Sequence, residues 1–314
     1  MSGMELAPPS YSGSKLQSLA RDIKISHTIF AMPWAVFAAF LAAGGWPRAG
    51  QLGLIVLCMI TARTVAMTAN RLLDAKLDAQ NPRTARRAIP SGALSPAFVT
   101  RVLVLCAAAF ITSTAMFLVF YHNRWPLLLS GPVLLFVVAY PLLKKFTRLC
   151  HYYLGAALGL APVCAWIAIR GDLSITPILM AGAVLLWTAG FDIIYACQDY
   201  ESDVACGVFS VPAKIGIGPA LWVSRLTHLT CISLLICIGF CSSPPLGALY
   251  FTGVGIAVVL MIVEHSIVGP DDLSKVGLAF FTINGIISLL LGTLGVLDVL
   301  VKASSGDVFR NVWK

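Results

Sequence analysis

Residues 52–87 read LGLIVLCMITARTVAMTANRLLDAKLDAQNPRTARR. Positions 52–69 form an apolar run long enough for a membrane helix, which takes roughly 17–25 residues. Its one charge is Arg63. The run passes directly into Asn70-Arg71-Leu72-Leu73-Asp74-Ala75-Lys76-Leu77-Asp78. Positions 70, 74 and 78 step by four, so on a continuing helix their side chains share a face. An apolar span ending in a stripe of acids predicts an all-α membrane protein with chemistry at its surface.

The rest of the chain repeats the first half of that pattern. Of 314 residues, 58% are hydrophobic and 11% charged, where a soluble domain carries roughly a quarter charged. The outer surface must therefore face lipid. Apolar runs lie near 27–45, 52–69, 99–121, 126–143, 152–169, 174–196, 217–241, 244–263 and 276–301, separated by breaks such as Gly45-Trp46-Pro47 and Gly269-Pro270-Asp271-Asp272. About nine transmembrane helices are expected. This divides the chain into a polar N-terminal segment, 1–26, without a cleavable signal, a helical domain, 27–301, and a short tail, 302–314.

The net charge of +8 is a topological signal. Segments after even-numbered spans hold Arg71, Lys76, Arg83, Arg86, Arg87, Lys144, Lys145, Arg148, Lys214 and Lys275, besides Lys15, Arg21 and Lys24 before the first span; the opposite loops hold only Arg48, Arg124 and Arg170. The positive-inside rule places the N-terminus and the basic loops in the cytoplasm. No basic patch is interleaved with aromatics, so nucleic acid is not an expected partner. The nine cysteines lack a CxxC spacing and the five histidines lack HExxH, so neither a disulfide framework nor a zinc site is indicated.

A second acidic cluster, Asp192-Ile193-Ile194-Tyr195-Ala196-Cys197-Gln198-Asp199-Tyr200-Glu201-Ser202-Asp203, matches the first at one constant offset. Asn70, Asp74 and Asp78 map onto Tyr195, Asp199 and Asp203, and both clusters fall on the basic face. Like charges four apart destabilise a bare helix, so something positive must compensate them. Mg²⁺ takes hard oxygen ligands, usually one or two carboxylates completed by water and substrate phosphate. The metal-ligand candidates are thus Asn70, Asp74, Asp78, Asp199 and Asp203. Basic residues nearby, Arg87, Lys144 and Lys145 among them, suit a diphosphate. Lys144 and Lys145 follow Tyr140-Pro141 at a span end, where their heads reach a cavity mouth. Arg63 and Asp192 lie within spans, where ionisable groups are rare and normally turned inward for function.

These residues resemble the UbiA superfamily of intramembrane aromatic prenyltransferases. Asn70-xxx-Asp74-xxx-Asp78 resembles its NxxxDxxxD motif, Asp192-xx-Tyr195-xxx-Asp199-xxx-Asp203 its DxxYxxxDxxxD motif, and Tyr140-Pro141-xx-Lys144-Lys145 its YPxxKR stretch. The string Asn81 to Gly92 is similar to the loop after the first motif. The likeness spans roughly residues 20–300. It implies helices around a central cavity capped on the cytoplasmic side, in a bacterial inner membrane. It further implies Mg²⁺-dependent transfer of a polyprenyl group from its diphosphate to an aromatic hydroxy acid, either 4-hydroxybenzoate or the naphthoate of the futalosine route to menaquinone.

On that reading Asp192 orients or deprotonates the phenol, and Tyr140, Tyr195 or Trp187 shields the allylic cation. Arg63 or Lys145 holds the acceptor carboxylate. Phe209 departs from the pattern, standing before Ser210 where many relatives carry a basic or histidine residue. Two rival readings fit the sequence less well. A CDP-alcohol phosphotransferase needs a DGxxAR element, which the sequence lacks; a cation-coupled transporter places its paired acids at mid-membrane, whereas these sit at the surface beside a basic loop.

Overall fold

A computed structural model describes residues 14–23 and 30–305. Lys24, the start of the first expected span (27–29) and the tail from residue 306 lie outside the described residues. Among the described residues, eight helices are long and apolar enough to cross a bilayer. They are α3 (Ala49–Leu73), α5 (Pro96–Tyr121), α6 (Trp125–Leu143), α7 (Cys150–Arg170), α8 (Ile175–Ala196), α11 (Ile217–Cys241), α12 (Ala248–Ser266) and α13 (Asn284–Ser304), the last extended by a preceding π-helical turn, Leu278–Ile283. Each overlaps an expected span.

The first expected span is the short α2 (Met32–Ala43), of 12 residues, started by Pro33 and ended by Gly44 at φ 64°. Only glycine adopts that left-handed cap at little cost. A helix apolar all round belongs in an interior, and α2 lies there: Trp34, Phe37 and Ala38 are fully buried between α7 and α13.

Helix contacts trace a closed circuit from α3 through α5, α6, α7, α8, α11, α12 and α13 to α2 and back to α3. The tightest seam is α7 on α8. A Cβ on Gly155 would stand 2.2 Å from the Leu185 carbonyl oxygen, and one on Gly159 would stand 2.7 Å from that of Ala181. Bilayer helices associate through such close backbone approach, since lipid supplies no hydrophobic drive between them. Outward-facing residues such as Leu105 and Leu135 are 69% and 74% exposed, as a lipid-facing surface requires.

One half of the ring is solid. Trp34, Phe37, Trp187, Phe191 and Tyr250 fill it, with ring centroids 5.0–6.1 Å apart along the pairs Trp34–Trp187, Trp187–Phe191 and Phe37–Tyr250. Trp187, a candidate cation shield from sequence, belongs to this core and donates from Nε1 to Asn284 Oδ1 at 2.7 Å. The other half, between α3, α5, α6 and α7, is hollow.

Short elements cap one end: α1 (Lys15–Asp22), α4 (Ala75–Gln80), α9 (Tyr200–Ala205) and α10 (Val211–Ile215). Within the N-terminal segment α1 begins with a capping box between Ser14 and Gln17. It lays Leu19 and Ile23 against Ala88, Leu94 and Val99.

Candidate active site

The acidic clusters do not continue their helices as the four-residue spacing suggested. α3 stops at Leu73, Asp74 is its C-cap, and α4 begins a new turn, although the Asp78 N–H still donates to the Asp74 carbonyl at 2.8 Å. Likewise α8 stops at Ala196 and tightens into a 3₁₀ turn, Cys197–Asp199, before α9. The breaks fan the acids apart, so that each meets a different partner.

Asp74 is 1% exposed. Its Oδ2 accepts from Lys144 Nζ at 2.5 Å and from Asn70 Nδ2 at 3.0 Å. Both Asp78 carboxylate oxygens accept from Arg87 Nη1 at 2.8 Å. Asp199 receives a two-pronged bond from Arg83, Nε to Oδ1 at 2.8 Å and Nη2 to Oδ2 at 2.6 Å, and a further one from Asn81 Nδ2 at 2.9 Å. Such a fork is the strong, planar way to hold a carboxylate. Arg83 also donates to the Tyr195 hydroxyl at 3.0 Å. Asp203 accepts from Ser210 Oγ at 2.7 Å.

These bonds join the two loops. Asn81 and Arg83 come from the first and Asp199 from the second, while the Phe209 N–H donates to the Lys144 carbonyl at 2.8 Å. The clusters therefore face each other on one side of the bundle.

Below them lies a cavity of about 180 Å³ bounded by α3, α5, α6 and α7. Asn70 and Tyr140 stand at its upper end; Ile55, Phe110 and Pro126 line it further down. From Ile55 to Asn70 is fifteen residues of helix, roughly 22 Å. The walls are almost wholly apolar, the exceptions being Arg63, Asn70, Thr114, Ser130 and Tyr140. Arg63 lines this cavity with a buried Nε that has no hydrogen-bond partner.

Other sequence candidates fall elsewhere. Lys145 is exposed, and its side chain makes no hydrogen bond or ion pair among the described residues. Arg71, one of the charges on the basic face, is only 4% exposed and is committed to Asp22: Nε to Oδ2 and Nη2 to the backbone carbonyl, both at 2.8 Å. Phe209, whose ring stands where a basic group was expected, carries Lys214 Nζ 3.8 Å above it.

Asp192 meets a residue that sequence reasoning missed. His151, buried at the start of α7, lies with Nδ1 2.7 Å from Asp192 Oδ2, and its Nε2 accepts from the Val211 backbone N–H at 3.2 Å. An accepting Nε2 puts the imidazole proton on Nδ1, which donates to the carboxylate. Nothing in the spacing of His151 announced this. Arg83 and Asn81 had a signal, since both lie in the loop after the first motif.

The donor set suits a hard divalent cation. Asp74 Oδ1 is buried and has no hydrogen-bond partner, and such an orphaned carboxylate oxygen is costly unless a ligand completes it. Burial raises the Asp74 carboxyl above the usual aspartate range, and Lys144 draws it part of the way back. Among the described residues no three acid, histidine or cysteine side chains converge on one point; the carboxylates are drawn onto Lys144, Arg83 and Arg87 instead.

Comparison with known proteins agrees with this architecture. A sequence profile of the UbiA prenyltransferase family matches residues 31–286. The 4-hydroxybenzoate octaprenyltransferase of Nitrosospira multiformis is 28% identical over 291 residues, covering 93% of this chain and 96% of its own. The 4-hydroxybenzoate solanesyltransferase of a Synechocystis species is 31% identical over 260 residues, covering 79% and 82%. Among solved structures, an apo UbiA homolog from Aeropyrum pernix superimposes with TM-score 0.75 at 28% identity over 88% of this chain and 98% of its own. A UbiA homolog from Archaeoglobus fulgidus bound to DMAPP and Mg²⁺ gives TM-score 0.68 at 19% identity, covering 92% and 99%, a likeness of fold.

Proposed function

This chain belongs to the UbiA prenyltransferase family and is a multi-pass membrane prenyltransferase, and we propose that it transfers a polyprenyl group from its diphosphate to 4-hydroxybenzoate in quinone biosynthesis, using Mg²⁺. One observation carries the reading: two acidic loops, laced together where Asn81 and Arg83 bind Asp199, cap an apolar cavity with a polar rim. The relatives' acceptor and the Mg²⁺-bound neighbour support the acceptor and the metal. Family membership sets aside the cation-coupled transporter.

Asp74, Asp78, Asp199 and Asp203, with Asn70, would hold a pair of Mg²⁺. When bound, the metal supplies Lewis-acid pull on the diphosphate oxygens. With the aspartates so engaged, Lys144, Arg83 and Arg87 are left with three positive charges for a diphosphate of roughly −3. That match stabilises the leaving group as the allylic C1–O bond breaks. The apolar walls keep water from the allylic cation. Tyr140, at the cavity rim, is the ring placed to shield it; Tyr195, covered by Arg83 and with its ring 4.1 Å from that of Phe280, does not line the cavity.

The acceptor's carboxylate pairs with Arg63, the one cation lining the cavity among the described residues. Its ring carbon ortho to the phenol attacks C1, and the ring proton leaves. Asp192, oriented by the Nδ1–H of His151, is the candidate to steady the phenol or take its proton. The positive-inside bias supports a cytoplasmic site in the inner membrane.

The test is incubation of membranes containing the protein with octaprenyl diphosphate and either 4-hydroxybenzoate or a hydroxynaphthoate, with products read by mass spectrometry. A prenylated hydroxybenzoate is expected. Product from the naphthoate alone would reassign the acceptor, and none from either would overturn the reading.

A further inference from the structure

On the flank away from the cavity, α11 and α12 enclose a lateral groove of about 390 Å³. Its upper wall carries Arg225, His228, His265 and Ser266; its lower wall is Leu229, Ile232, Met261 and Ile262. Arg225 lies eight residues into α11, roughly 12 Å along the helix from the face that bears the acidic loops. A cation at such depth within an apolar span is costly and normally meets a counter-charge. Among the described residues Arg225 has no ion pair; its guanidinium lies 4.6 Å over the ring of Trp222. Glu264, beside His265 in sequence, is turned inward, fully buried, and accepts from Asn284 Nδ2 at 2.7 Å.

The histidines add no charge of their own to the groove. His228 Nε2 lies 3.1 Å from the Trp187 carbonyl oxygen, which can only accept, so Nε2 carries the proton. In that tautomer His228 Nδ1 accepts, and His265 Nε2, 2.9 Å away, must be its donor. Two neutral imidazoles satisfy this chain, which leaves Arg225 as the formal charge in the groove. The apolar wall opens sideways: Leu229 is 60% and Ile262 63% exposed on the surface that faces hydrocarbon. Free phosphate does not reach such a flank, whereas a lipid presents a phosphate there with its chain below it.

We propose that this groove binds one anionic phospholipid, its phosphate on Arg225 and one acyl chain along Leu229, Ile232 and Ile262. The site is separate from the prenyl-transfer machinery and stands whether or not the acceptor reading holds.

Native mass spectrometry tests it on the full chain in detergent micelles containing equal amounts of phosphatidylglycerol and phosphatidylcholine. The wild-type protein is expected to retain phosphatidylglycerol at least fivefold over phosphatidylcholine. Arg225→Gln should abolish the preference, Arg225→Lys should keep most of it, and Ile262→Trp, which fills the apolar wall, should lower retention at least fivefold. Prenyl transfer in Arg225→Gln should stay at the wild-type level in phosphatidylcholine membranes. Equal retention of both lipids by the wild type, an undiminished preference in Arg225→Gln, or undiminished retention in Ile262→Trp overturns the proposal. Displacement by inorganic phosphate with binding intact in Ile262→Trp would point to a soluble phosphate compound and sink the lipid assignment. Where Arg225→Gln fails to assemble, Ile262→Trp decides alone.

Discussion

Lys144 Nζ lies 2.5 Å from Asp74 Oδ2, joining the end of α6 to the end of α3 across seventy residues of sequence. The ammonium is a placeholder in our reading: it compensates the buried carboxylate that a divalent metal ion would otherwise compensate.

Asp74→Ala and Asp199→Ala should each lower prenyl transfer by about two to three orders of magnitude, the usual loss when a transition-state charge partner is removed. Both proteins should still insert in membranes, because the aspartates lie at loop turns and not in the helix seams. EDTA should stop the wild-type enzyme and Mg²⁺ restore it. Full activity in either variant, measured by product mass, would remove that cluster from the chemistry.

The acid limb of the pH profile should report Asp74. Burial lifts this carboxyl above the ordinary range, so its charged form is lost at a higher pH than that of an exposed aspartate. Activity should fall correspondingly early on acidification. Stability follows the opposite sign: the folded state holds this proton to a higher pH than the unfolded chain, so its contribution is present below the ordinary range and is lost as pH rises through the lifted value. Lys144→Met removes the charge that draws Asp74 back, and the acid limb of kcat/KM should move to higher pH. An unmoved limb would assign it to another group.

Tail length should be set within the cavity. Cys58 lines it twelve residues below Asn70 on α3, roughly 18 Å down the helix. Cys58→Phe should leave geranyl transfer near the wild-type rate while lowering octaprenyl transfer at least tenfold, read from paired kcat/KM values. An equal loss for both donors would mean that the chain runs elsewhere.

Asp22 binds two segments that no local pattern connects: it takes the Arg71 guanidinium on Oδ2 and the Ala88 backbone N–H on Oδ1. Asp22→Ala leaves a buried arginine unpaired, a change that costs about 3–5 kcal/mol. The midpoint of thermal unfolding in detergent should fall by several degrees and α1 should become open to protease. An unchanged midpoint would show the pair to be dispensable.

Membrane embedding, the positions of eight of the nine expected spans and the acidic motifs were legible in the sequence alone. Each is local: a bilayer-length apolar run such as 99–121 is a helix wherever it sits, and acids such as Asp74 and Asp203 must lie where water or ligand reaches them. Tertiary structure decided what those residues meet. It broke both acidic helices at Asp74 and Asp199, gave Arg83 to Asp199, Arg71 to Asp22 and His151 to Asp192, and left Lys145 outside the site. It also buried α2, and it hollowed the half of the ring bounded by α3, α5, α6 and α7 while filling the other with Trp34 and Trp187. Pairings across some forty to a hundred and twenty residues depend on how helices cross, and crossing depends on side-chain fit at seams such as Gly155 on Leu185, which no one-dimensional spacing records.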